Sequence, residues 1–127
     1  MPSAYISRTA PYSSLVLRVG LAAVIMWFGS SQLLQPDMWT TWVPEWTAVL
    51  GLDAARVVFL NGCFELLAGT LLLLGVYTRY VALVLFLHML LVVYDIGLTA
   101  IGVRDFGLAA GFLALALDGR SPYSLVR

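Results

Sequence analysis

The stretch from Phe59 to Arg79, FLNGCFELLAGTLLLLGVYTR, restricts what this chain can become more than any other. It is apolar and long enough to cross a bilayer, yet it carries Asn61 and Glu65 and closes on an arginine. An acid at the centre of a membrane helix costs about 2.5 kcal/mol or more on insertion scales, so Glu65 needs a partner, a proton or a task. The surrounding chain is of the same kind: 61% of residues are hydrophobic and 11% charged, whereas about a quarter of a soluble domain is charged. Mean hydropathy is +0.94. In lipid every backbone polar group must be satisfied within the structure, and runs of this length do so as helices. The reading is therefore an all-α polytopic membrane protein, with one membrane domain in its 127 residues.

Four spans are predicted, at about 14–34, 54–76, 80–97 and 103–117. The first is stopped by Pro36, with Ser13 or Ser14 suited to cap its start. Arg18 lies one turn in and is expected to snorkel to the interface. Gln32 follows fourteen residues later, near a whole number of turns, so the two share a face. Between the first two spans, PDMWTTWVPEWTAVLGLD is too broken to cross and holds three of the four tryptophans, Trp39, Trp42 and Trp46. Such crowding marks a segment at headgroup level, an anchoring belt or a lid. In the second span Asn61, Glu65 and Gly69 are spaced by four and share a face. In the third, His88 and Asp95 share one, seven residues apart, with Val84 and Leu91. The fourth opens with Arg104-Asp105, and its stripe Arg104, Gly107, Gly111, Ala114, Asp118 suits a tightly packed face. The N-terminus lacks the pattern of a cleaved signal peptide, so the first span reads as retained.

Arginine counts set the orientation. The side shared by both termini holds Arg8, Arg18, Arg79, Arg120 and Arg127, and the other only Arg56 and Arg104, which puts the termini in the cytoplasm of an inner-membrane protein. Seven arginines balance seven acids and lysine is absent, so neither a nucleic-acid surface nor a polybasic lipid tail is indicated. The partner implied is the bilayer. Neighbouring stripes of small residues allow a homodimer.

At about 1.5 Å per residue, Glu65, eleven residues into its span, and His88, about nine into the next, come to similar depth near the midplane. They form the natural pair. Gln32, Asn61, Asp95, Arg104 and Asp105 lie nearer the outer face, a polar cluster with Arg104 between carboxylates, and Arg18 can reach Asp118 at the inner face. Out of water a carboxyl group and an imidazole both favour their neutral forms, so Glu65 and His88 are expected to share a proton rather than form an ion pair. Such a pair can relay protons or bond a quinone carbonyl. The plainer alternative for His88 is a hydrogen-bonded core residue, and for the arginine clusters structural ion pairing. A quinone ring would also need a flat apolar slot, for which Trp27, Phe59 and Phe64 are the candidates. Cys63, the one cysteine, excludes an internal disulfide and a CxxC motif, and reads as a small packing residue in the interior. No metal-ligand spacing and no flavin motif is present.

LRVGLAAVIMWFGSSQLL (17–34), WVPEW (42–46), NGCFELLAGTLLLLGVYTR (61–79) and VRDFGLAAGFLALALDG (103–119) together resemble the DoxX/DoxD family of small four-helix membrane proteins. The shared pattern lies in Glu65 with Gly69, the following LLLG and TR, and the RD at Arg104-Asp105, and spans about 15–119. The resemblance implies an antiparallel four-helix bundle. It also implies a redox setting, since family members include subunits of thiosulfate:quinone oxidoreductase, with quinone as the cofactor and a redox subunit as partner. Animal relatives act as assembly chaperones, so a non-catalytic scaffold is the second expectation, and a small transporter the third, disfavoured by the apolar run Leu71 to Leu74.

Overall fold

The computed structural model describes residues 2–118 and 124–126. Four helices dominate: α1, Pro2–Leu34; α2, Ala54–Leu74; α3, Thr78–Ile96; and α4, Ala100–Asp118. Each contains a segment long and apolar enough to span a membrane. Among the described residues there is no β-strand, only one isolated bridge, so the protein is an all-α polytopic bundle. Consecutive helices run antiparallel. The closest pairings are α1 with α2 and α3 with α4, and the two hairpins meet along α1–α4 and α2–α3.

Local chemistry explains where the helices end. The Asp53 side chain accepts the Arg56 N–H at 2.8 Å and caps α2. At its other end Gly75 turns left-handed, φ 74°. There the Gly75 N–H donates to Leu72 O and the Val76 N–H to Leu71 O, a Schellman closure. Thr99 caps α4 by accepting the Gly102 N–H at 3.1 Å, and so this helix starts three residues before the predicted 103. The start of α1 also differs. The helix already runs from Pro2, so Ser13 and Ser14 lie within it, and the Ser13 hydroxyl donates back to Ala10 O rather than capping.

The segment between α1 and α2 forms three 3-10 turns, Pro36–Met38, Thr40–Trp42 and Glu45–Leu50. Two tryptophans tie it to the bundle: the Trp39 indole N–H donates to Ser31 Oγ on α1, 3.0 Å, and that of Trp46 to Asp95 Oδ1 on α3, 3.2 Å. At the opposite end, tail residues 124–126 lie along the α2–α3 turn, with Tyr77 N–H donating to Val126 O and Val126 N–H to Gly75 O. Arg18 does not snorkel. It is buried, and its Nη1 donates to Ser124 Oγ at 2.6 Å. Arg120 and Arg127 of the orientation count lie outside the described residues.

Leu21, Ile25, Leu72, Leu85, Met89, Phe112 and Leu115 fill the centre. On α4 the packed residues are Gly102, Asp105, Ala109, Phe112, Leu115 and Ala116. The predicted stripe is therefore out of phase: Gly107 and Ala114 face outward, because α4 turns to bury the larger Phe112 and Leu115 instead. Cys63, expected inside, also faces outward. The α1–α2 seam is narrowest at Gly29 and Gly62. A Cβ on Gly29 would come within 2.8 Å of Leu66 N and 2.9 Å of Gly62 O, so any side chain would force the helices apart.

Candidate functional site

That close crossing decides what lies beside it. Gln32 is three residues beyond Gly29 on α1, while Asn61 and Glu65 flank Gly62 on α2. With the backbones nearly touching, even short amide side chains reach across. Asn61 Nδ2 donates to Gln32 Oε1 at 2.7 Å and to Glu65 Oε1 at 2.9 Å, and Gln32 Nε2 donates to Glu65 Oε2 at 2.9 Å. The three side chains close a ring in which both Asn61 amide hydrogens are used. Glu65, 5% exposed, has an amide donor on each oxygen.

The fourth member arrives from α3. The tight turn at Gly75–Tyr77 sets α2 and α3 antiparallel, so that mid-α2 and mid-α3 come level. His88 Nε2 lies 3.1 Å from Glu65 Oε1. One proton on that line can sit on either heavy atom: the imidazole N–H donates to the carboxylate, or the carboxylic O–H donates to the imidazole nitrogen. The Phe64 ring packs edge-on against the His88 ring, centroids 4.9 Å apart. The site thus joins α1, α2 and α3 about halfway along α2 and α3, with no fixed cation among its four members.

The outer polar cluster predicted from depth divides differently. Gln32 and Asn61 join Glu65, because α1 ends below the start of α2, which carries Gln32 deeper than a count along α1 suggests. Asp95 is exposed and accepts from Trp46, not from Arg104. Arg104 binds its neighbour Asp105 through Nε and Nη2, at 3.2 and 3.1 Å, and lies over the Phe28 ring at 5.3 Å, which in turn meets Trp39 edge-on. Trp27 and Phe59 do not line a slot at Glu65. They point outward, 64% and 58% exposed.

Sequence reasoning placed Phe64 only among general candidates, and the structure gives it two contacts. Besides meeting His88, it lines an apolar groove of about 520 Å³ between α2 and α3, together with Leu67, Leu71, Tyr77, Tyr80 and Val84. Val84 is one turn before His88, and this i, i+4 spacing was the one available signal.

The family model described as DoxX matches residues 13–98, which carry the first three helices and all four members of the ring-and-imidazole cluster. No curated protein and no solved structure matches the chain.

Proposed function

The chain belongs to the DoxX family of membrane proteins, and from that premise we propose that it serves as a quinone-associated, redox-linked membrane subunit, with Glu65 and His88 as its proton-handling pair. One observation carries the reading: a buried carboxyl group 3.1 Å from an imidazole, held by neutral amides from two helices, with no permanent positive charge in the cluster. A membrane-buried acid paired in this way is a functional hypothesis by default, because a structural role would be met at lower cost by apolar packing.

The residues suit a quinone. His88 and Glu65 would hold it by its carbonyl, Phe64 would lie beside the ring, and the neighbouring groove is apolar. A bound quinone supplies a two-electron acceptor whose oxygens each take a proton on reduction. The chain's own part is to deliver and hold those protons. Gln32 and Asn61 fix the carboxyl group whether the proton rests on Oε1 or on Nε2, so transfer between them needs no rearrangement of the ring. Electrons reach the site through a partner subunit. A homodimer fits the outward-facing Gly107 and Ala114 on α4, small residues that allow close approach of a second helix. The termini lie on the cytoplasmic side of the inner membrane, where the arginines of the α2–α3 turn and the first helix gather.

A second reading has its own observation. The Gln32–Asn61–Glu65 ring satisfies its amides across the α1–α2 seam, as interhelical polar glue does, and this suits a non-catalytic scaffold. Glu65→Gln in lipid nanodiscs separates the two. The quinone-linked reading expects at least a tenfold loss of quinone affinity, and of quinone reduction by membranes carrying the protein, with the fold intact. The scaffold reading expects altered assembly or thermal stability and no ligand affinity to lose.

A further inference from the structure

Tail residues 124–126 lie across the turn between α2 and α3 and touch neither member of the acid–imidazole pair. Leu125 N–H donates to Leu74 O and Val126 N–H to Gly75 O, carbonyls that the end of α2 leaves over, and Val126 O accepts the Tyr77 N–H. The fit is close: a Cβ on Gly75 would come within 2.6 Å of Ser124 Cα. Ser124 also reaches α1, where its Oγ accepts from Nη1 of Arg18 at 2.6 Å, a charged side chain only 2% exposed. A segment that follows α4 in sequence is thus bonded to both helices of the first hairpin.

The turn it covers is the covalent joint between the two hairpins, and Gly75 and Tyr77 are both left-handed there, at φ 74° and 49°. A tyrosine keeps that conformation only where its surroundings over-determine it, and the bond from its N–H to Val126 O contributes to this. Beyond the joint, the outer side of the α2–α3 seam is parted: the open groove runs from Tyr77 to Phe64, the sequence neighbour of Glu65. Core packing on the other side sets the angle less firmly than it would in water, because lipid offers apolar side chains the same contacts. The lever is long. Ten residues of α2 separate Gly75 from Glu65, and ten of α3 separate Thr78 from His88. At about 1.5 Å each, both arms measure about 15 Å, so a change of about 10° at the joint shifts one arm against the other by about 2.5 Å. The 3.1 Å contact between Glu65 and His88 does not survive such a shift. We infer that residues 124–126, anchored by Arg18, clamp the angle between the hairpins and thereby hold Glu65 and His88 at bonding distance. These are positioning residues, acting through the joint; the inference rests on the Glu65–His88 pair of the reading above and holds whichever ligand that pair serves.

The test loosens the clamp and reads the pair. Ser124→Ala removes the acceptor of Arg18, and Leu125→Pro with Val126→Pro removes both N–H donors of the strap. Each is made in the full chain carrying Cys63→Ser, with nitroxide labels at Leu67→Cys on α2 and Leu87→Cys on α3, two exposed positions. Label distances in lipid nanodiscs, and the ¹⁵N resonance of His88 Nε2 in unlabelled samples, are compared with the parent and with Glu65→Gln, all without quinone. In the proline variant the label distances should lengthen or spread by about 2 Å or more, and the Nε2 resonance should move to its position in Glu65→Gln. Ser124→Ala should change both in the same direction by a smaller amount, and it carries the test alone if the prolines cost the fold. Parental distances in every folded variant, or a moved resonance at parental distance, overturn the clamp and leave the pair standing. A parent resonance already equal to that of Glu65→Gln overturns the pair and the clamp together, whereas a quinone affinity indifferent to Glu65→Gln removes only the ligand reading.

Discussion

Two buried carboxyl groups in this protein have opposite surroundings. Asp105, 4% exposed, binds the guanidinium of its own sequence neighbour, whose side chain is 54% exposed and braced on Phe28. Glu65, equally buried, is met by amides of Gln32 and Asn61 and by the imidazole of His88, so its partners come from three helices. The countercharge at Asp105 is permanent, because an arginine does not release its proton in a protein. At Glu65 the only group able to become cationic is one that can also be neutral. The first arrangement fixes a charge and the second leaves a proton free to choose, and so we assign structure to the one and chemistry to the other.

The largest perturbation separates the regions outright. Gly29→Leu drives a side chain into the backbone of Leu66 and Gly62, and overpacking against atoms that cannot yield costs about 3 kcal/mol. Thermal unfolding in detergent should show that loss, together with disappearance of the Glu65–His88 interaction, while Arg104–Asp105 persists. Next, Arg104→Ala leaves Asp105 buried without its countercharge. With the arginine half exposed, the cost is about 2 kcal/mol, below the full range for a buried pair. Adding Asp105→Asn should recover most of it, and a double variant no more stable than Arg104→Ala would mean that the pair is not structural.

Glu65→Gln is milder in stability and more severe in function. It puts an N–H donor where an amide N–H already points, an unmatched contact costing about 1–2 kcal/mol, and it removes the only acid in the cluster. Infrared spectra should lose a carboxyl band while the melting temperature falls by only a few degrees. Smallest of all, Trp27→Ala alters a side chain that faces lipid and should change stability by about 0.5 kcal/mol or less. A larger effect would show that Trp27 has a partner, such as a second copy of the chain.

What the sequence disclosed and what it hid follow one physical division. Depth along a helix can be counted, so the four spans and the level placement of Glu65 with His88 were readable. Rotation about the axis was not. In water an apolar stripe points to the core, but lipid is as apolar as the interior, and a membrane helix carries little record of which side faces in. Several misplaced residues are of this kind: Trp27, Phe59 and Cys63 face outward, and the α4 stripe was out of phase. Glycine and polar side chains do record rotation, because a close backbone approach or an unmet hydrogen bond cannot face hydrocarbon. This is why Asn61, Glu65 and Gly69 were placed together on one face. Gln32 was misjudged in depth for a different reason: α1 ends below the start of α2, so a count along α1 places it too near the outer face.

His88 is the single histidine of the chain, so its ring nitrogens can be followed without assignment ambiguity by ¹⁵N magnetic resonance in lipid. A proton shared with Glu65 requires that Nε2 show the signature of a strong hydrogen bond to a carboxyl group, and that this signature vanish in Glu65→Gln. Identical imidazole spectra in the two proteins, titrating as a histidine in water does, would contradict it.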